Sequence, residues 1–98
     1  MSMIGTKTAD EVKDYSLDWS KDIGTDIIAS SGNSVWVVSP SGVSITQSSL
    51  AGSGTLTTVW VSGGMVGQNY DVKNTITTTA GRELTKVFRL LVVSNNYL

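Results

Sequence analysis

Apolar and polar residues in this chain alternate at every second position, in short runs cut off by clusters of Gly, Pro and Ser. Thr55 to Ser62 places Leu56, Thr58 and Trp60 on one face and Thr57, Val59 and Val61 on the other. Tyr70, Val72, Asn74 and Ile76 likewise oppose Asp71, Lys73, Thr75 and Thr77. A period of two is the period of a strand, and a helix cannot use it to bury one face. The remaining segments follow the same rule. Val35-Trp36-Val37-Val38 ends in Ser39-Pro40-Ser41-Gly42, where Pro presets a turn and Gly tolerates positive φ. Val43 and Ile45 alternate with Ser44 and Thr46 ahead of Ala51-Gly52-Ser53-Gly54, and Gly63-Gly64 with Gly67 bound the turn after the next strand. Ala80-Gly81 then closes a hairpin into Arg82 to Val93. The end of that segment, Phe88, Leu90 and Val92 against Val87, Leu91 and Val93, is apolar on both faces and should be covered on both sides. Six short strands at intervals of about 10–15 residues describe an all-β protein, an antiparallel sandwich.

Composition agrees. The 98 residues make one domain, with 14 Ser, 12 Thr and 10 Gly but a single Pro. Residues that favour helix are scarce, whereas β-branched residues suited to pleated surfaces are abundant. Only the N-terminal third is ambiguous. Tyr15, Leu17 and Trp19 alternate as a strand does, but Tyr15, Trp19, Ile23 and Ile27 are also spaced by four. A helix there would stack Asp10, Asp14, Asp18, Asp22 and Asp26 into one like-charged stripe, so a strand over Tyr15 to Trp19 followed by a loop is the better reading.

Charge is concentrated at the two ends. Six of the 8 acidic residues lie in the first 26 positions, and Lys73, Arg82, Lys86 and Arg89 supply the basic excess of the last third. Between them, the 44 residues from Ile27 to Tyr70 carry no charge. Isolated soluble domains place Lys and Glu on their solvent faces, so a neutral Ser/Thr/Gly surface points to contact with another protein. No run of apolar residues is long enough for a signal peptide or a membrane span, so no membrane partner is expected.

Most enzyme chemistry lacks its residues. The chain has 0 Cys and 0 His, which removes thiolate nucleophiles, the commonest general base and the commonest metal ligand. Asp18, Ser20, Asp22 and Asp26 put oxygens at loop spacing, but Ile23 and Ala29 stand where a calcium loop needs Gly and Glu. The acids crowd one segment rather than facing each other across a cleft, and no Ser-x-x-Lys motif is present. The glycine pairs precede strands and offer no helix N-terminus to a phosphate. With a net charge of −1, the chain also lacks the basic surface that nucleic acid demands. No catalytic residue, cofactor or metal is expected. Trp36 and Trp60 sit among valines and read as core residues, while Trp19, between Asp18 and Ser20, is the aromatic expected to be partly exposed. Gly67-Gln68-Asn69-Tyr70-Asp71-Val72 resembles the Gly-x-x-Tyr-x-Val start of a late strand in immunoglobulin-like and fibronectin-like domains. On that resemblance Tyr70 is structural and its hydroxyl has a backbone partner.

A longer resemblance runs from about Lys7 to Val93. Asp14-Tyr15-Ser16-Leu17-Asp18-Trp19-Ser20, Asp26-Ile27-Ile28-Ala29-Ser30, Val35-Trp36-Val37-Val38 with Ser41-Gly42-Val43, Val59-Trp60-Val61-Ser62-Gly63-Gly64, Gly67-Gln68-Asn69-Tyr70 and Asn74 to Arg82 follow in order. Together they are similar to a small structural protein of tailed bacteriophages, the fiber-tail adaptor type. The pattern departs at Ile23, where that family commonly has Leu, and at Ser94 to Leu98. The resemblance implies a single immunoglobulin-like sandwich of six to seven strands, present in many copies on the virion, assembled in the host cytoplasm and without enzymatic activity. Its role would be an adaptor docking tail, neck or baseplate components such as fibers. A capsid cement or decoration protein and a carbohydrate-binding module acting through an exposed aromatic such as Trp19 are the alternatives. The expected organisation is a flexible N-terminal arm over 1–13, the sandwich over 14–93 and a tail over 94–98. Met3, Ile4, Trp19, Tyr97 and Leu98 are the expected interface residues, and other virion proteins the expected partners.

Overall fold

The computed structural model describes residues 3–51 and 54–94. Seven strands form two sheets: β1 (Met3–Thr8), β2 (Val12–Asp18), β3 (Ser34–Ser39), β4 (Val43–Ala51), β5 (Leu56–Gly63), β6 (Asn69–Thr77) and β7 (Glu83–Val93). One sheet has the order β1-β7-β6-β3 and the other β2-β5-β4. All pairs are antiparallel except β1 with β7, which run parallel from Met3↔Phe88 to Thr8↔Val93. Between the sheets lie Val59 and Val61 of β5, Val72 and Ile76 of β6, and Phe88, Leu90 and Val92 of β7, each at most 2% exposed. These are the alternating positions read from the sequence, and the turns fall where Pro40, Gly64 and Gly81 stand. At Gly64 the backbone has φ +101 and an added Cβ would lie 2.6 Å from Val92 Cγ2, so the turn needs glycine twice over.

Two N-terminal expectations are corrected. The strand that starts before Tyr15 ends at Asp18, and the next residues form one helical turn, α1 (Ser20–Ile23), instead of a loop. The Asp18 carboxylate accepts the Ser20 N–H at 2.9 Å, which starts the turn, and the Trp19 carbonyl accepts from Asp22 and Ile23. The segment expected as a free arm contributes β1 to the sheet. Its inward residues are Gly5 and Lys7, which carry no apolar signal but make a specific fit. Gly5 leaves room for the Tyr15 ring, since a Cβ there would lie 2.6 Å from Tyr15 Cε1. The Tyr15 hydroxyl and the Lys13 ammonium both donate to the Thr6 carbonyl, at 2.7 and 2.9 Å. Lys7, 1% exposed, donates Nζ to the carbonyls of Thr8 and Gly63 and so ties β1 to the opposite sheet. Burial pulls its ammonium below the ordinary lysine value, while Glu11 and Asp10 oppose that pull. Burial likewise pushes the Tyr15 phenol up to about 12.

A buried polar chain crosses the sandwich. The Trp19 Nε1–H donates to Thr57 Oγ1 at 3.0 Å, and the Thr57 hydroxyl donates to Asn74 Oδ1 at 2.7 Å. Asn74 Nδ2 in turn donates to Ser34 Oγ and to the Val35 carbonyl, at 2.9 and 3.1 Å. Both Thr57 and Asn74 are 0% exposed, so every donor in the chain depends on the next partner.

Candidate docking surface

The outer face of the four-stranded sheet is assembled by register. Ser39, Asp71, Arg89 and Ile4 lie in one row across β3, β6, β7 and β1. Val37, Lys73 and Val87 form the next, and Val35, Thr75 and Thr85 the one after. Five apolar side chains stand out of this face: Ile4 is 63% exposed, Val35 55%, Val37 49%, Val87 46% and Val93 36%. Ile4, Asp71, Val87 and Arg89 line a shallow hollow between β1 and β6. The Asp71–Arg89 contact is 3.5 Å with both side chains more than half exposed, a pair of the kind that contributes little to stability. The Thr75 and Thr85 hydroxyls pair at 3.1 Å. Apolar groups, threonines, Lys73 and one loose ion pair make up this face.

The expected site residues fall in different places. Ile4 is on this face, whereas the backbone of Met3 pairs with Phe88, a residue of the core. Tyr97 and Leu98 lie outside the described residues. Trp19, expected to be partly exposed, is 1% exposed, which corrects both its interface role and the glycan-platform reading through it. The helical turn after β2 folds its ring inward onto Thr57, and Lys86 of β7 covers it, with Nζ 4.8 Å from the ring centroid and bonded to Asp22 at 2.7 Å. Trp60, read as core, is half-buried on the outer face of the three-stranded sheet, in the row Asp14–Trp60–Gln47. Both faces of β5 are apolar enough to hide a tryptophan, so only the parity shared with Leu56 and Thr58 distinguishes them. Trp36 packs against the core with its Nε1–H buried and without an acceptor. Tyr70 is 2% exposed, and its hydroxyl accepts the Met65 N–H at 2.9 Å. That bond holds the β5–β6 loop, whose tip presents Met65 and Val66 at 70% and 53% exposure. These two residues stand alone between Gly64 and Gly67, outside any period, and so carry no signal in the sequence.

The acidic residues considered for a cation are spent on local bonds. Asp26 accepts from Thr79 Oγ1 at 2.6 Å, from the Ile27 N–H at 2.9 Å and from Arg82 Nη1 at 2.9 Å. The hydroxyls of Thr78 and Thr79, with the N–H groups of Ile27 and Ala80, hold its carboxyl well below the usual carboxylate range. A carboxyl depressed in the folded state stabilises it fully above the unfolded value near 3.9 and ceases to as pH falls through the folded one. The melting temperature should therefore drop as pH is lowered from about 4 to 2, and Asp26→Asn should flatten that drop. Asp18 and Glu11, lowered through the N–H groups of Ser20 and Thr8, retain part of the slope. Thermal melts of both proteins across this range check it; equal slopes would remove Asp26 as the cause.

Comparison with known proteins gives two findings. A family model described as podophage GP4 fiber-tail adaptor protein gp77 matches residues 7–91. The solution structure of the PKD domain from KIAA 1837 protein is similar in fold, with a TM-score of 0.55 and 19% identity over 95% of this chain and 80% of that one. No curated protein sequence matches the chain.

Proposed function

The chain belongs to the podophage GP4 fiber-tail adaptor family, gp77, and from that premise we propose that it is a non-enzymatic adaptor of the virion tail whose docking face is the outer surface of the β1-β7-β6-β3 sheet. One observation carries the choice of face: Ile4 and Val87, both exposed, flank a hollow closed by Asp71 and Arg89. Exposed apolar side chains gathered around a hollow and rimmed by polar groups mark protein contact surfaces. The protein acts in many copies, each seated on another tail protein, and enters the particle during assembly in the host cytoplasm.

Stoichiometry tests the role and substitution tests the face. Quantitative mass spectrometry of purified particles against the major capsid protein should give about six or twelve copies, the multiplicities of closed rings. Hundreds of copies would make the chain a capsid decoration protein, and its absence would overturn the virion role. Ile4→Asp changes a side chain already 63% exposed, so the domain should stay folded while its occupancy in particles falls several-fold. Unchanged occupancy would move the docking surface elsewhere on the domain, with the Met65–Val66 loop next to be tried.

A further inference from the structure

The four sheet edges are not equivalent. On β1 the Thr6 carbonyl is capped by Lys13 and Tyr15, and the Thr8 N–H by the Glu11 carboxylate. β2 carries Lys13, Asp14 and Asp18. β4 is broken by a bulge between Ile45 and Gln47. Charge, bulges and covering groups are the devices that keep edge strands from pairing with other chains. β3, Ser34-Val35-Trp36-Val37-Val38-Ser39, has neither charge nor bulge: its register with β6 is unbroken from Ser34↔Ile76 to Ser39↔Asp71. One long edge of the larger sheet is thus left open to a strand from outside.

The edge also fits itself. In an antiparallel pair, directly opposite residues share a face, and β3 alternates between inward Trp36 and Val38 and outward Val35 and Val37. If two copies meet with Trp36 opposite Trp36 of the second copy, then Val35 of each lies opposite Val37 of the other. Both outward valines gain an apolar partner, the two indoles meet on the inner side, and no charge is brought to the seam. Shifting the register by two would leave Val37 opposite Asn33 or Val35 opposite Ser39. The geometry points to a twofold homodimer formed by β3–β3 pairing, which joins two four-stranded sheets into one of eight. The inference goes beyond the tail role and does not rest on it. Six residues of edge bury less than a standard interface, so the pairing is weak in free solution and strengthens where copies are held side by side.

Sedimentation equilibrium over a wide concentration range tests this. The expected result is a mass rising from 10.4 kDa toward about twice that value. Val37→Lys should raise the dissociation constant about tenfold or more, as two valine pairs are lost and charge enters the seam. Val35→Lys should act alike, and it replaces the first variant should circular dichroism show that one unfolded. Ile4→Lys, at the far edge, should leave the dimer intact. Because the chain has 0 Cys, the register can be read directly: a mixture of Val35→Cys and Val37→Cys proteins should form a disulfide-linked heterodimer on mild oxidation. A monomer at every concentration, or a dimer that survives both lysine variants, would overturn the proposal. Particle stoichiometry answers separately for the tail role.

Discussion

Replacing Trp19 by Ala should cost about 3–5 kcal/mol, the range for emptying a buried aromatic site. The site can collapse only in part, because Thr57, 0% exposed, and the helical turn Ser20–Ile23 border it from either side. Domains of this size are stable by about 5–15 kcal/mol, so the variant should lie near the limit of folding, with a melting temperature lower by roughly 20 °C. Trp19→Phe separates the two contributions. It keeps most of the volume and the site beneath Lys86 but removes the Nε1–H donated to Thr57, so its cost should be about 1–2 kcal/mol. Trp36→Phe gives the contrast: the donor it removes has no acceptor, and only lost packing should register. Urea denaturation of the three variants ranks them; a near-neutral Trp19→Ala would contradict its place in the core.

The second large effect belongs to Asn74→Ala. The amide accepts from Thr57 and donates to Ser34 and Val35, so truncation strands a hydroxyl and a carbonyl inside the sandwich. Leaving such groups unpaired costs about 1–3 kcal/mol each, and about 2–4 kcal/mol is expected in total, since Ser34 is only half-buried and rehydrates. Trp19 and Asn74 both lean on the Thr57 hydroxyl, so the costs of Asn74→Ala and Trp19→Phe should not add. A double-mutant cycle should return an interaction energy above about 0.5 kcal/mol; strict additivity would mean that the three side chains do not act as one chain.

Six of the seven strands, β2 to β7, were legible through apolar residues at alternating positions between turn signals. Val59, Val61, Val72, Ile76, Phe88 and Leu90 announce themselves in this way. β1 does not, because what it turns inward is a glycine and a lysine. Gly5 is chosen by the ring of Tyr15, and Lys7 by two carbonyl groups, and neither partner is near in sequence. The same reason hid the burial of Trp19. Its polar neighbours Asp18 and Ser20 suggest solvent, but they start the helical turn and leave the indole free to point inward. The proposed docking face was legible in Ile4 and in the neutrality between Ile27 and Tyr70, a stretch that holds β3 alone of the complete strands of this sheet. Ile4 and Val87, which flank its hollow, lie outside that stretch and are brought together by the parallel pairing of β1 with β7.

That pairing joins residues 85 positions apart, from Met3↔Phe88 onward. β1 must wait for β7 before it can pair, and loop closure over so long a span is slow. Until Val93 has left the exit tunnel, the nascent chain holds both β1 and the groove that will receive it uncovered. Completing this sheet is therefore a step in which β1 of one copy can be captured by the unfinished sheet of another.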